Sequence, residues 1–127
     1  MRAYTVAATA VALGVTTKWV DNVLSHHQVP GVLQARQGIA RRVTPAALLV
    51  LDVALRLVRA LALPMPQALK TAHRLISARG TGIELPGVTS VQIKADVETL
   101  TDDLNVRLER AVEMSPTPRR GRPRRNK

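Results

Sequence analysis

The chain has 127 residues, a length typical of one compact domain with a tail or a small accessory lobe. Hydrophobic residues make up 46% of it, which is enough to fill a core and excludes global disorder. Cysteine is absent, so disulfides, thiolate metal sites and cysteine nucleophiles are excluded, and a cytoplasmic location is compatible with the composition.

The net charge is +10, and it is unevenly distributed along the chain. Residues 1–79 contain ten basic and two acidic residues, residues 80–114 three basic and seven acidic, and residues 115–127 six basic and no acidic. Two positive blocks around a negative one predict a polyanionic partner for the ends and another role for the middle. The apolar stretch 46–63 contains three charged residues, which predicts a buried helix and no membrane association.

Two short helices joined by a turn are predicted at the start of the chain. The first is expected over residues 4–13 with Thr5 as its N-cap, and Gly14 ends it because glycine adopts a left-handed conformation without steric cost. Thr16 is expected to cap the second helix, over residues 17–25. The residues expected to face inward are Val6, Ala7, Ala10, Val11, Leu13, Val20, Val23 and Leu24. This arrangement is typical of a helix-turn-helix.

A β-hairpin is predicted next, with strands over residues 32–34 and 39–43 and a tight turn over 35–38. The residues expected to face the helices are Val32, Ile39 and Val43. Those expected to project outward are Arg36, Gln37, Arg41 and Arg42.

Two further helices are predicted over residues 45–61 and 65–78. Thr44 is expected to cap the first of them, with Pro45 at its first position, and Asp52 and Arg56 form a favourable i,i+4 pair. The expected inward residues are Leu48, Leu51, Leu55, Val58, Ala68, Leu69, Ala72, Leu75 and Ile76.

The order of these segments over residues 4–78 resembles the winged helix-turn-helix of MerR-type regulators and phage excisionases. The segments that carry the resemblance are Tyr4-Thr5-Val6, Leu13-Gly14-Val15-Thr16, Trp19-Val20, Val29-Pro30-Gly31, the arginine-containing hairpin and Arg42-Val43-Thr44-Pro45-Ala46-Ala47-Leu48. The resemblance implies that the second helix enters the major groove and that the hairpin, the wing of that family, contacts the minor groove or the backbone. Asp21-Asn22-Val23 replaces the Arg-Tyr-Tyr usual in MerR-type proteins, and no long dimerisation helix or cysteine metal-binding loop follows, so metal or drug sensing is not implied.

Within the second helix, we expect an exposed face that meets DNA. The candidate contacts are Thr16, Thr17, Lys18 and Asn22. Lys18 suits a phosphate or a guanine edge, Asn22 suits adenine, and Asp21 either accepts from a cytosine amino group or orients Lys18. The alternative is an ordinary solvated helix face. Trp19 is expected to fill the core beside the wing rather than to stack on bases.

Residues 80–114 are predicted to form a second small α/β segment. Glycine and proline separate short β-rich pieces at 83–85 and 88–93, which fits either a small hairpin or an irregular linker. An acidic amphipathic helix is expected over 96–113, with an apolar stripe of Val97, Leu100, Leu104, Leu108, Ala111 and Val112. The stripe predicts a homodimer contact or packing against the first domain, and a third arrangement places the helix over the basic face.

The C-terminal tail, residues 115–127, is expected to be disordered on its own. Its Arg120-Gly121-Arg122-Pro123, flanked by Arg119, Arg124 and Arg125, resembles the core of an AT-hook. The resemblance implies that this segment lies in the minor groove of A·T-rich DNA, whose narrow groove has an enhanced negative potential. A generic basic tail is the alternative, and it also binds phosphates.

No catalytic residue, metal site or cofactor is predicted. His26 and His27 diverge on a helix, His73 is remote in sequence, and carboxylates near Asp102 are expected on a solvated helix face. Neither a nucleotide-binding loop nor a catalytic triad is found, so an enzyme is not expected.

These features predict a mainly α protein with three parts. Residues 1–79 form a winged helix-turn-helix DNA-binding domain with a small β-hairpin wing, residues 80–114 a segment for dimerisation or partner binding, and residues 115–127 a disordered basic tail. The leading hypothesis is a cytoplasmic, nucleoid-associated transcriptional regulator that binds double-stranded DNA with sequence preference. The alternatives are an architectural or excisionase-like DNA-bending protein, and an antitoxin-type adaptor that binds a protein through residues 80–114.

Overall fold

The structure is a computed structural model that describes residues 2–34, 40–85 and 87–114. The fold is mainly helical with two small antiparallel sheets, which confirms the predicted class at this level. Its elements are β1 Tyr4–Thr5, α1 Val6–Leu13, α2 Thr17–His26, β2 Val32–Leu33, β3 Arg42–Val43, α3 Pro45–Leu61, α4 Met65–Ser77, β4 Ile83–Glu84, β5 Gln92–Ile93 and α5 Val97–Met114.

The predicted start of the first helix was wrong by two residues, because α1 begins at Val6 and not at Tyr4. Tyr4 and Thr5 form β1, which pairs with Val43 and Arg42 of β3. Thr5 has the extended backbone of an N-cap, so residues before it cannot continue the helix, and their backbone groups join the sheet instead. The cap itself is confirmed, because Thr5 Oγ1 accepts a hydrogen bond from the Ala8 amide at 3.0 Å.

The inward face predicted for α1 also needs correction. Val11 is 43% exposed, whereas Ala8, Thr9 and Ala12 are buried beside the predicted Ala10 and Leu13. The reason is that α1 packs against both α2 and α5, so small residues on two of its sides are covered. Small side chains let the three helices approach closely.

The capping residues predicted for α2 and α3 are confirmed. Thr16 Oγ1 accepts from the Trp19 amide at 3.0 Å, and Thr44 Oγ1 accepts from the Ala47 amide at 3.3 Å, with Pro45 at the first helical position. The turn before α2 is made by Gly14, whose φ of 72° places it in the left-handed region. Local sequence therefore determines where these two helices begin.

The core forms between α3 and the elements around it. Leu48 and Leu51 of α3 are fully buried with Val20 of α2 and Val43 of β3, and α4 packs along α3. The predicted inward residues Ala68, Leu69, Ala72 and Leu75 of α4 are buried, while Val58 and Ile76 are partly buried against the core.

The acidic helix α5 folds back on the first part of the chain, which is the second of the two main arrangements predicted for its apolar stripe. It packs on α1 and also contacts α3, and Leu104, Leu108 and Ala111 belong to the same core as the other helices. Residues on both sides of the predicted boundary at residue 79 therefore contribute to one core, and the division into functional segments stays a prediction. Val112 of the predicted stripe is 43% exposed, because the core covers only part of the stripe. A homodimer through residues 96–113 stays a prediction, and exposed positions of α5 such as Val106 and Val112 are open to it.

Residues 80–95 contain the small hairpin that was one of the two alternatives. β4 and β5 pair antiparallel, with Ile83 opposite Ile93 and Glu84 opposite Gln92. Both isoleucines are partly buried against the core, so the hairpin is attached to the helices rather than separate from them.

Candidate nucleic-acid interface

The exposed side of α2 presents a continuous set of polar residues, which we call the α2 face. It consists of Thr16, Thr17, Lys18, Asp21, Asn22 and Ser25, all of which are exposed. The opposite side of α2 buries Val20, Val23 and Leu24, as predicted. Because residues three and four apart are neighbours on a helix, Lys18, Asp21 and Asn22 lie together in the middle of this face.

One ion pair joins the α2 face to the residues just before β3. Arg41 Nη1 lies 3.7 Å from Asp21 Oδ1, and both side chains are partly exposed. The prediction that Asp21 either orients Lys18 or accepts from a cytosine amino group missed this contact. Asp21 lies beside Arg41 and partly offsets its charge, and its two predicted roles stay predictions.

Arg42 is placed by the alternation of side chains along β3. Val43 is completely buried under the sheet, so Arg42 is directed to the outer surface, where it is exposed opposite Leu33 of β2. The register is fixed because β3 is the central strand, with β1 and β2 on its two sides. The outward position predicted for Arg42 is thus confirmed. Arg41, which was also predicted to project outward, is only 26% exposed and lies beside Asp21.

Lys18 and Arg42 form no ion pair with any residue that the structure describes. Their charges are therefore available to a partner, unlike that of Arg41. A lysine on a capped helix and an arginine on the adjoining sheet can neutralise phosphates, while the hydroxyls of Thr16 and Thr17 and the amide of Asn22 can donate and accept hydrogen bonds.

Part of the predicted interface lies outside the described residues. Arg36 and Gln37 fall within residues 35–39, which are not among the described residues. The tail residues Arg119, Arg120, Gly121, Arg122, Pro123, Arg124 and Arg125 lie beyond residue 114. Their roles stay as predicted from the sequence.

A second charged cluster lies away from the α2 face, and only one of its contacts was predicted from the sequence. We call it the Arg107 cluster, and its members are Asp52, Arg56, Asp103 and Arg107. Arg107 Nη2 lies 3.1 Å from Asp52 Oδ2 and 3.0 Å from Asp103 Oδ2, and the predicted pair of Asp52 with Arg56 is present at 3.4 Å. Arg107 Nη1 also donates to the Ala12 carbonyl, at the C-terminal end of α1, at 2.8 Å.

The Arg107 cluster holds α5, α3 and α1 together. The Asp52 side chain is only 5% exposed, so its charge requires the two arginines that surround it. Ala12 is among the last residues of α1, whose carbonyls have no partner within the helix, and Arg107 supplies one. The signal in the sequence for such a buried partner was an acidic residue with apolar neighbours on both sides, Leu51 and Val53, near the middle of α3.

Metal and membrane sites are not seen in the parts of the chain that the structure covers. No group of histidine and carboxylate side chains there could hold a metal ion, and His26 Nδ1 is instead 2.8 Å from the backbone carbonyl of Asn22. None of the described helices is both long and apolar enough to cross a membrane.

Comparison with known proteins gives no relative. No family model matches the chain, and no match is found among curated proteins or solved structures.

Proposed function

We propose that the protein binds double-stranded DNA as a sequence-preferring regulator of transcription. In this proposal α2 enters the major groove, the β2–β3 pair with its loop contacts the backbone or the minor groove as a wing, and the tail anchors the complex in an A·T-rich minor groove. The protein acts in the cytoplasm on the nucleoid, without catalytic activity.

The observation that carries the proposal is the ion pair between Asp21 and Arg41. It joins Arg41, the residue just before β3, to an exposed polar helix face. Lys18 of α2 and Arg42 of β3 form no ion pair with a described residue, and Thr17 and Asn22, beside Lys18 on the α2 face, have side chains that can read base edges. The net charge of +10 and the six basic residues after position 114 support a polyanionic partner independently.

Genome-wide DNA binding tests this proposal with the full chain and a variant ending at residue 114. We expect the full chain to be enriched at a small number of sites at physiological salt. The shortened chain is expected to keep those sites with lower affinity, because phosphate contacts position the protein and base contacts specify the sequence. If neither protein is enriched over bulk DNA, the proposal is wrong.

The same experiment separates the architectural alternative. A DNA-bending or excisionase-like protein would cover A·T-rich DNA broadly instead of giving one strong footprint upstream of a gene. The packing of α1, α2 and the sheet on one core is compatible with either function.

A further inference from the structure

A cleft of about 540 Å³ lies between the C-terminal end of α2 and the exposed side of α4. It is separate from the α2 face, since none of the residues Thr16 to Asn22 lines it. Its volume is within the range of roughly 300–1,000 Å³ that is typical of small-molecule sites. The proposed DNA-binding function makes no use of it.

The floor of the cleft is apolar. Val29, Val50 and Leu69 line it, and each is 7–8% exposed, so their side chains close the bottom without presenting a polar atom. They come from the segment after α2, from α3 and from α4, which belong to the same core. A floor of this kind favours the apolar body of a ligand over water.

The rim of the cleft is basic. Lys70, His73 and Arg74 are spaced i, i+3 and i+4 on α4 and therefore project from one side of that helix. His26 and His27 line the opposite edge, so all three histidines of the chain surround this one cleft. No Asp or Glu is among the described residues that line it, and neither Lys70 nor Arg74 pairs with a described carboxylate.

We propose that this cleft binds a small amphipathic carboxylate, with the acid group on Lys70 and Arg74 and an aliphatic or aromatic body on the apolar floor. The guanidinium group matches a carboxylate with two parallel hydrogen bonds, and lysine adds a point charge. The described histidines and acids form no metal-binding group, so a metal ion does not account for the three histidines. A nucleic-acid phosphate uses the basic rim but leaves the apolar floor without a function.

A titration of the full chain with a graded set of probes, in the absence of DNA, tests the proposal. The probes are acetate, hexanoate and octanoate, with octylammonium and inorganic phosphate for comparison, and the readout is the backbone amide NMR spectrum. We expect saturable shifts at residues of the cleft for hexanoate and octanoate. The affinity should rise by up to about fourfold for each methylene that the floor buries. Octylammonium and phosphate should not saturate the site.

The charge-removing variant Lys70→Gln with Arg74→Gln is expected to weaken octanoate binding by about tenfold, or about threefold for each cation removed from a partly exposed rim. Arg79→Gln with Lys94→Gln is the matched control, since it removes the same charge beside a different cavity and should leave binding unchanged. Both pairs of residues are exposed, so folding should be unaffected.

Several results would overturn the proposal. These are no saturable shift, octylammonium binding as tight as octanoate, or an equal loss of affinity in the two variants. Phosphate binding as tight as octanoate, or a loss of DNA affinity in the Lys70 and Arg74 variant with the octanoate titration unchanged, would identify the rim as a DNA-backbone surface instead. Because the titration contains no DNA, its failure is distinct from a failure of DNA binding.

Discussion

The Arg107 cluster and the α2 face use charge in opposite ways. In the Arg107 cluster, two arginines and two aspartates satisfy one another around a side chain that is only 5% exposed. On the α2 face, one acid and one arginine pair at 3.7 Å, while Lys18 and Arg42 have no carboxylate among the described residues. The paired charges of the Arg107 cluster connect α1, α3 and α5 around the buried Asp52, whereas Lys18 and Arg42 are exposed and available for a partner.

Paired and exposed charges also lie on different sides of the acidic helix α5. One side of α5 supplies Arg107 and the leucines that close the core, and the other side carries solvated acids such as Asp102 and Glu109. The excess negative charge of residues 80–114 is thus directed away from the core.

The largest expected effect comes from removing the apolar attachment of α5. Leu108→Ala should lower the free energy of unfolding by about 3 kcal/mol, because Leu108 is 1% exposed and its truncation leaves a cavity. Val106→Ala, at a position that is 54% exposed on the same helix, should change it by less than about 0.5 kcal/mol. Urea unfolding measures both. Equal small effects would show that α5 is not part of the core.

Breaking the Arg107 cluster should come next in size. Asp52→Asn removes the charge that both arginines share and should lower the free energy of unfolding by about 2 kcal/mol. This loss is smaller than for a fully buried ion pair, because the Arg107 side chain is 28% exposed. Asp102→Asn removes the same charge from a solvated position of α5 and serves as the control in urea unfolding. A destabilisation by Asp52→Asn no larger than that by the control would contradict the structural role of the cluster.

A smaller effect is expected at the ion pair of the α2 face. Asp21→Asn releases Arg41 and removes a negative charge from the proposed interface, so DNA affinity should increase by about two- to fivefold at low salt. Stability should change by less than about 0.5 kcal/mol. Fluorescence anisotropy with a duplex measures the affinity, and Glu109→Gln on α5 is the control of equal charge. A weaker complex for Asp21→Asn would instead indicate that Asp21 itself contacts DNA.

The smallest effect concerns the start of α5 and depends on pH. Hydrogen bonds from the Thr99 amide and hydroxyl hold the pKa of Asp96 below its ordinary value of 3.8. The carboxylate therefore contributes stability above that ordinary value, and the contribution disappears as the pH falls through the lowered pKa.

Asp96→Asn keeps a capping side chain but cannot titrate, so its unfolding midpoint in urea should fall less than that of the parent between pH 5 and pH values below 3.8. Thr99→Val removes the hydroxyl donor and keeps the amide, and it should remove only part of the difference. Identical acid profiles for the parent and Asp96→Asn would show that this carboxylate has no role.

Local chemistry made the helix starts predictable. The capping signal of α2 is Thr16, and that of α3 is Thr44 followed by Pro45. Each signal lies within a few residues, so both helices begin where the sequence indicates. The strand β1 was missed because Tyr4–Thr5 becomes a strand only by pairing with β3, much later in the chain. A two-residue segment directly before a helix gives no local sign of such a pairing.

The contacts of Arg107 were beyond prediction for the same reason. Its hydrogen bond to Ala12 joins residues 95 positions apart, and its contact with Asp52 joins residues 55 apart. The leucine stripe of α5 showed that one side must be covered, but not whether α1 or a second copy covers it. On the α2 face, helix periodicity correctly predicted that Lys18 and Asn22 are exposed. The partner of Asp21 could not be predicted, because it depends on where the sheet places Arg41.

The central claim is that Lys18 and Arg42 are free to bind phosphates or bases, and the salt dependence of DNA affinity tests it most directly. Lys18→Gln with Arg42→Gln should weaken binding and reduce the slope of log affinity against log salt by about 0.9 for each phosphate that the variant no longer neutralises. Arg79→Gln with Lys94→Gln, which removes the same charge beside Asp96 and Asp102, should leave the slope unchanged. Equal slopes for both variants and the parent would contradict the claim, because the α2 face would then neutralise no phosphate of the DNA.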